Sequence, residues 1–313
     1  MKQTLRTYGV QLALVGVAAV WGGTFVTVKD AVARYPMYAF LTLRFAIAVL
    51  AFVAVVPSAL KLMRLDTLKT GVLAGLFLTA GYVFQTWGLQ DTSASKAAFI
   101  TGMFVVITPV LQAFVLRRIP HRTTVVGVIL AVIGLWFLSG GSADSWNVGD
   151  TRVLICAFAY AGHFIVLGAA GEKHDVRPLT LVQLATVGAA SAAISLATEP
   201  RGLPGDAGIW FALVLTGVFA SAVAFAVQTY AQRTLSPTKT ALILIMEPVF
   251  GGVFGYFAGE RLGISGVVGS ALIFLGMLVA EVLGLMRGPG EPHVELEQTI
   301  EGPPILVEVD DGH

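Results

Sequence analysis

The chain has 313 residues, 56% hydrophobic and 12% charged, with a mean hydropathy of +0.81 and a formal net charge of +1. Soluble domains carry about a quarter charged residues, so this composition describes a membrane protein, and the near-neutral charge argues against nucleic acid as a partner. A single cysteine, Cys156, excludes an intramolecular disulfide and a Cys-rich metal site.

A bilayer core about 30 Å thick takes roughly 20 apolar residues as helix. Seven runs lack Asp, Glu, Lys and Arg altogether: 7–28, 70–90, 97–116, 123–143, 153–171, 178–198 and 207–232. Three more hold one charge each: 35–60 with Arg44, 240–259 with Glu247, and 262–286 with Glu281. Ten transmembrane spans with short loops are predicted, all helical because backbone polar groups in a bilayer must be satisfied internally. The start has the basic residues of a signal peptide, but its uncharged run is longer than the usual core of about 7–15 residues. Lys29 and Asp30 also separate that run from the small-residue trio Ala31-Val32-Ala33, so it reads as a retained first span.

In chain order, the polar and aromatic side chains inside these runs are the candidate site. Trp21 and Phe25 lie in span one and Arg44 in span two. Arg44 either pairs with a substrate carboxylate or phosphate through its fork or snorkels to the interface. Tyr82, Gln85 and Trp87 lie in span three, Phe104 and Pro109 in span four. Tyr160, His163 and Phe164 lie in span six, and Phe225, Gln228 and Tyr230 in span eight. The aromatics suit an amphipathic substrate, and the two glutamines offer donors and an acceptor to a substrate or to neighbouring helices. His163 is read as a proton-coupling group or as a packed, hydrogen-bonded histidine. Glu247 comes about ten residues into span nine, so about 15 Å deep. A charge there costs about 2.5–3.5 kcal/mol on insertion scales. It is a proton or substrate-cation site facing a polar cavity, or a carboxyl bonded to backbone freed by Pro248, where a kink is expected. Pro109 places the corresponding kink in span four.

With the N-terminus in the cytoplasm, inner loops and ends hold thirteen Lys and Arg and outer ones six, which orients both termini inward. The segment 288–313 has four prolines, seven acidic residues and no Lys or Arg, and reads as a disordered tail.

The chain repeats itself. A shift of 139 residues sets "WGGTFV" from Trp21 on "YAGHFI" from Tyr160, Thr24 on His163, Arg44 on Gln183, and "TPV" at Thr108 on "EPV" at Glu247. A shift of 143 sets "QTWGLQDTSASKAAFI" from Gln85 on "QTYAQRTLSPTKTALI" from Gln228, with Ser93 and Lys96 on Ser236 and Lys239. The four-residue difference is about one helical turn. A duplicated unit with an odd number of spans must insert the other way up, giving an inverted repeat of the kind that puts a site at the midplane between halves. The expected units are 1–143, 150–287 and the tail 288–313.

"WGGTFVTVKDAV", "LRFAIA" around Arg44 and the stretch from "EPVFGGVFGYFAGERLGISGVVG" onward resemble the drug/metabolite transporter superfamily in its EamA-type branch. The resemblance implies a ten-helix permease of the inner or plasma membrane that moves small metabolites, often amino acids and often outward. It implies a central cavity lined by spans 1, 3, 4, 6, 8 and 9, with spans 5 and 10 peripheral. Import of a similar solute is the rival direction; a membrane-embedded enzyme or a non-transporting interaction protein are the rival classes. No HExxH, GxSxG or glycine-rich phosphate loop is present. The expected partners are a small-molecule substrate, the lipid bilayer and a coupling proton, with no cofactor and no metal.

Overall fold

The computed structural model describes residues 2–115, 122–140, 146–170, 173–235, 240 and 243–285. Ser236, Lys239 and the acidic tail lie outside these. Among the described residues all regular structure is helical. Seven helical stretches are long and apolar enough to cross a membrane. They comprise α1 (Lys2–Val32), α2 (Met37–Val55), α4 (Leu65–Leu89), the pair α5 (Ala94–Gly102) and α6 (Phe104–Val115), α8 (Val148–Ala170), α9 (Val176–Thr198), and a composite. The composite is α10 (Ala207–Val214), a π-helical segment (Leu215–Val223) and α11 (Ala224–Thr234). The other three apolar runs hold α7 (Arg122–Leu138), α12 (Met246–Phe257) and α13 (Ile264–Leu285). All ten runs are thus helical, and α3 (Ser58–Lys61) is a single turn in a loop.

The fourth and ninth runs are broken rather than smoothly kinked. Helix α5 starts on Ser93, whose hydroxyl accepts from Lys96 N, and stops at a turn on Met103. A second turn, on Ile245, precedes α12. Both turns fall where the repeat loses one helical turn, between Ile100 and Thr108 in one copy and Ile243 and Glu247 in the other. Pro248 therefore sits in the first turn of α12, where its missing N–H removes no helix bond. Pro109 lies inside α6, which continues through it to Val115.

Polar contacts sort the loops onto two faces. On one, Lys29 pairs with Glu260 (3.6 Å), Glu260 accepts from the backbone of Ala94 and Ser95, and Lys96 pairs with Asp150 at 2.6 Å. On the other, His174 bonds Thr67 and Thr70, and Arg177 bonds Ser58. The end of α1 and the start of α8 share a face, so the second copy is inverted relative to the first. The halves interleave: α4 packs on α8 and α9, α2 on α9, and α12 on α1 and α5. Small residues permit this where lipid supplies no hydrophobic drive. A Cβ at Gly22 would stand 2.8 Å from the Glu247 carbonyl and 2.7 Å from Gly251 N. Helices α7 and α13 pack chiefly on each other, with Gly127 against Gly276 and Gly134 against Gly269, so they stand to one side of the central assembly.

Candidate functional site

The two halves line a central cavity between them. Its wall is built largely from repeat-related pairs. Trp21 and Tyr160, Thr24 and His163, and Phe25 and Phe164 are mates on α1 and α8; Tyr82 and Phe225, and Gln85 and Gln228, are mates on α4 and α11. Arg44, Leu78, Phe104 and Glu247 complete it. The rings form one connected wall: Tyr82 to Tyr160 (5.9 Å between centroids), Tyr82 to Phe225 (6.3 Å), Trp21 to Phe225 (5.5 Å) and Phe104 to Phe164 (4.9 Å). Such a wall receives an apolar body and holds it by ring edges and faces.

Two charged side chains break the pseudo-symmetry. Arg44 on α2 is 2% exposed, which rules out snorkelling. Its Nε donates to Ser221 Oγ (3.0 Å), its Nη2 to Tyr82 OH (3.2 Å), and its guanidinium carbon lies 4.6 Å from the Tyr82 ring centre. No carboxylate among the described residues pairs with it. Glu247, in the first turn of α12, is 6% exposed and has no hydrogen bond or ion pair among the described residues. The reading of Glu247 as a carboxyl tied to backbone freed by Pro248 is thus not what the structure shows. The helix N-terminus beneath it favours negative charge, and the close approach of α1 at Gly22 fixes its backbone. Their repeat mates are the neutral Gln183 and Thr108.

The amides and the histidine differ in how far their hydrogen bonds are met. Gln85 bonds Thr101 at 3.3 Å and accepts from Tyr160 OH at 3.4 Å, both long. Gln228 is 1% exposed and its Oε1 has no partner among the described residues. His163 bonds Gln183 Oε1 at 2.6 Å, as a packed histidine does, while its ring still touches the cavity.

Of the sixteen residues singled out in the sequence, twelve line the cavity and four do not. Tyr230, two residues past Gln228, turns about 200° away around α11 and is 37% exposed. Pro109 lies in α6 off the wall, and Pro248 is buried against Gly102, 3.0 Å from a Cβ placed there. Trp87 likewise leaves the cavity: two residues past Gln85, it stacks on Phe84 and lies 3.9 Å under the Arg152 guanidinium. Leu78 was overlooked because an apolar residue in an apolar helix carries no signal. Thr24 was noted only as the mate of His163, and that pairing was the usable signal.

One face is tied across the halves by an array of polar contacts. Asp150, wholly buried, accepts from Thr92 Oγ1 (2.6 Å), Lys96 Nζ (2.6 Å) and Asn147 N (3.0 Å). Glu260 accepts from Ala94 N (2.7 Å), Ser95 N (2.8 Å) and Ser95 Oγ (2.7 Å). Burial pushes the Glu260 carboxyl up, but these bonds and the Lys29 charge outweigh it and hold the group below its ordinary value. Glu199 caps α2 by accepting from Tyr38 N and Ala39 N, and Arg34 meets Asp206, as Arg152 meets Asp91. The segment 91–96, joining α4 to the first turn of α5, is thereby held at five residues by the second half.

Comparison with known proteins matches both halves to one family. The profile of the EamA-like transporter family matches residues 8–140 and again 147–281. A protein of Archaeoglobus fulgidus named an uncharacterized transporter is 31% identical over 272 residues, covering 87% of this chain and 85% of its own. The uncharacterized transporter YoaV of Bacillus subtilis is 24% identical over 281 residues, 86% of this chain and 96% of its own. A solved structure titled only as the crystal structure of a protein superposes with a TM-score of 0.66 at 18% identity, over 90% of this chain and 99% of its own. That likeness concerns the fold alone.

Proposed function

Because the chain belongs to the EamA-like transporter family, we propose that it is a secondary transporter, not an enzyme, that exports a small zwitterionic, amphipathic metabolite such as an amino acid by alternating access. The observation that carries this reading is the pair of buried ionisable side chains, Arg44 and Glu247, on opposite halves of one aromatic-walled cavity and without ionic partners among the described residues. A buried charge without a partner is costly, and a zwitterion supplies the missing partners in one molecule. Its carboxylate meets Arg44, its ammonium meets Glu247, and its body lies against Tyr82, Tyr160 and Phe104. Glu247 takes up a proton when the ammonium leaves, which couples export to proton entry.

The membrane is the cytoplasmic one, with both termini inside. The excess of Lys and Arg on the inner loops supports this. It makes the face carrying Asp150 and Glu260 the outer one, so the conformation described here is closed outward. Residues 1–143 and 150–287 are the two moving halves, and 288–313 is a cytoplasmic tail.

Purified protein in proteoliposomes, loaded in turn with each of the twenty common amino acids, tests this by counterflow of the same labelled compound. Exchange of at least one is expected, reduced about tenfold or more by Arg44→Gln and by Glu247→Gln. Exchange that both variants preserve at every pH would remove the two charges from the mechanism. No exchange of any amino acid would remove the substrate class.

A further inference from the structure

The two repeat-related helices that flank the cavity are not wound alike. On α4, Gly75 is pressed against Thr186 of α9; on the eighth run, Gly217 is pressed against Ile47 and the Arg44 carbonyl of α2. Ile47 and Thr186 are themselves mates at the shift of 139, so Gly75 and Gly217 occupy equivalent places. Further along, Gln85 and Gln228 are equivalent and both line the cavity. The first pair is ten residues apart (85 − 75) and the second eleven (228 − 217). The second copy thus carries one extra residue between two fixed points. It is absorbed by the π-helical winding of Leu215–Val223, a wider turn found mostly as short insertions at functional sites.

The winding has two local consequences, both at the cavity. Ser221, fully buried, presents its hydroxyl to Arg44 Nε at 3.0 Å. The Ala220 carbonyl accepts from Trp21 Nε1 at 2.8 Å. The α-helical copy offers neither. There the mate of Arg44, Gln183, is fully buried with no partner for its Nε2 among the described residues. The facing stretch of α4 carries Leu78 and Thr79, and the Thr79 hydroxyl is turned to its own helix, at 2.7 Å from the Gly75 carbonyl.

We infer that Ser221 is the positioning residue for Arg44, and that the inserted residue exists to bring it there. With Nε held by Ser221 and Nη2 by Tyr82, the end-on edge of the guanidinium, Nη1 and Nη2, is the edge left for a carboxylate to meet in a two-bond fork. Without Ser221 the side chain is free to rotate about that edge, and recognition of the carboxylate loosens. The unequal winding thereby decides which half of a pseudo-symmetric cavity receives the anionic end. This rests on the reading of Arg44 as a substrate contact.

The full-length protein in proteoliposomes tests it, with counterflow of each of the twenty labelled common amino acids and, for those exchanged, competition by the corresponding amides, which keep the ammonium but lack the carboxylate. Ser221→Ala removes one oxygen and fits the same space. It is expected to raise KM and to narrow the preference for acid over amide by about tenfold, as loss of one hydrogen bond to a charged group does, with the maximal rate nearly kept. Ser221→Thr is expected to restore the preference. Arg44→Gln is expected to abolish it. A Ser221→Ala protein that keeps the parent preference while Arg44→Gln loses it overturns the inference and leaves the proposed function intact. So does a fall in exchange with the preference unaltered, which is a structural effect only. A preference that survives Arg44→Gln, or no exchange of any of the twenty by the parent protein, overturns the reading of the site itself.

Discussion

Substituting Glu260 with glutamine should open the cavity to the outer face. The carboxylate is half-buried and accepts three short bonds from the first turn of α5, and it stands 3.6 Å from Lys29. Hydrogen bonds to a charged group contribute about 1.5–3 kcal/mol each, but on opening both the carboxylate and the α5 N-terminus regain water. A net shift of about 2–3 kcal/mol toward the outward-open state is therefore reasonable, roughly 30- to 150-fold in the closed-to-open ratio. The exposed pair Arg34–Asp206 adds little, because exposed ion pairs contribute about 0–1 kcal/mol. The shift can be read without a substrate. Gln85→Cys places a thiol on the cavity wall, in a Cys156→Ser background, and a membrane-impermeant maleimide is added outside intact cells. Labelling at least about tenfold faster with Glu260→Gln is expected, and faster still with Asp150→Asn added. Equal rates for parent and variant, outside intact cells and in inverted vesicles alike, would refute the role of these contacts as a latch between the halves. Acceleration only from the inside would keep the latch and reverse the orientation.

Three further outcomes follow from the same contacts. Because the Glu260 carboxyl is held below its ordinary value of 4.5, its contribution is complete above that value and is lost as the pH falls below it through the folded-state value. The Tm advantage of the parent over Glu260→Gln should be constant from about pH 7 to 5 and close below that, and an advantage that persists under acid would contradict the assignment. Gly134→Ala puts a Cβ at 2.7 Å from the Gly269 carbonyl and from Ile273 N, backbone that cannot yield, so a loss of about 1–3 kcal/mol is expected. Gly16→Ala, with open space around it, should leave Tm unchanged, and equal effects of the two would undo the packing argument. Tyr230→Ala should keep exchange within about twofold if the cavity ends short of α11's outer side.

Much of the fold was legible because a bilayer leaves a helix no alternative, so uncharged runs mark helices directly. The cavity was legible for a different reason. A residue facing the pseudo-twofold axis has a mate facing it too, so Trp21 with Tyr160 and Gln85 with Gln228 could be picked by shift alone. Residue type alone misplaces Trp87 and Tyr230, since an aromatic in a span packs outside the cavity as readily as on its wall, as Trp87 does under Arg152. Proximity to a break was no better a guide, because Pro109 and Pro248 shape the helices without lining the wall. Ser221 was invisible for a subtler reason. Its placement depends on a one-residue difference in winding between Gly217 and Gln228, and an ungapped shift of 143 conceals that difference. The polar array that ties the halves together was hidden in loop acids, Asp150 and Glu260, whose partners Thr92, Lys96, Ala94 and Ser95 lie far away in sequence.

The most direct measurement is an experimental structure of the protein with a transported amino acid bound. The density expected is a carboxylate on the end-on edge of the Arg44 guanidinium, an ammonium beside Glu247, and the side chain against Tyr82, Tyr160 and Phe104. A compound bound elsewhere, or lying in the cavity with neither charged end toward Arg44 or Glu247, would contradict the proposal that these two charges recognise a zwitterion.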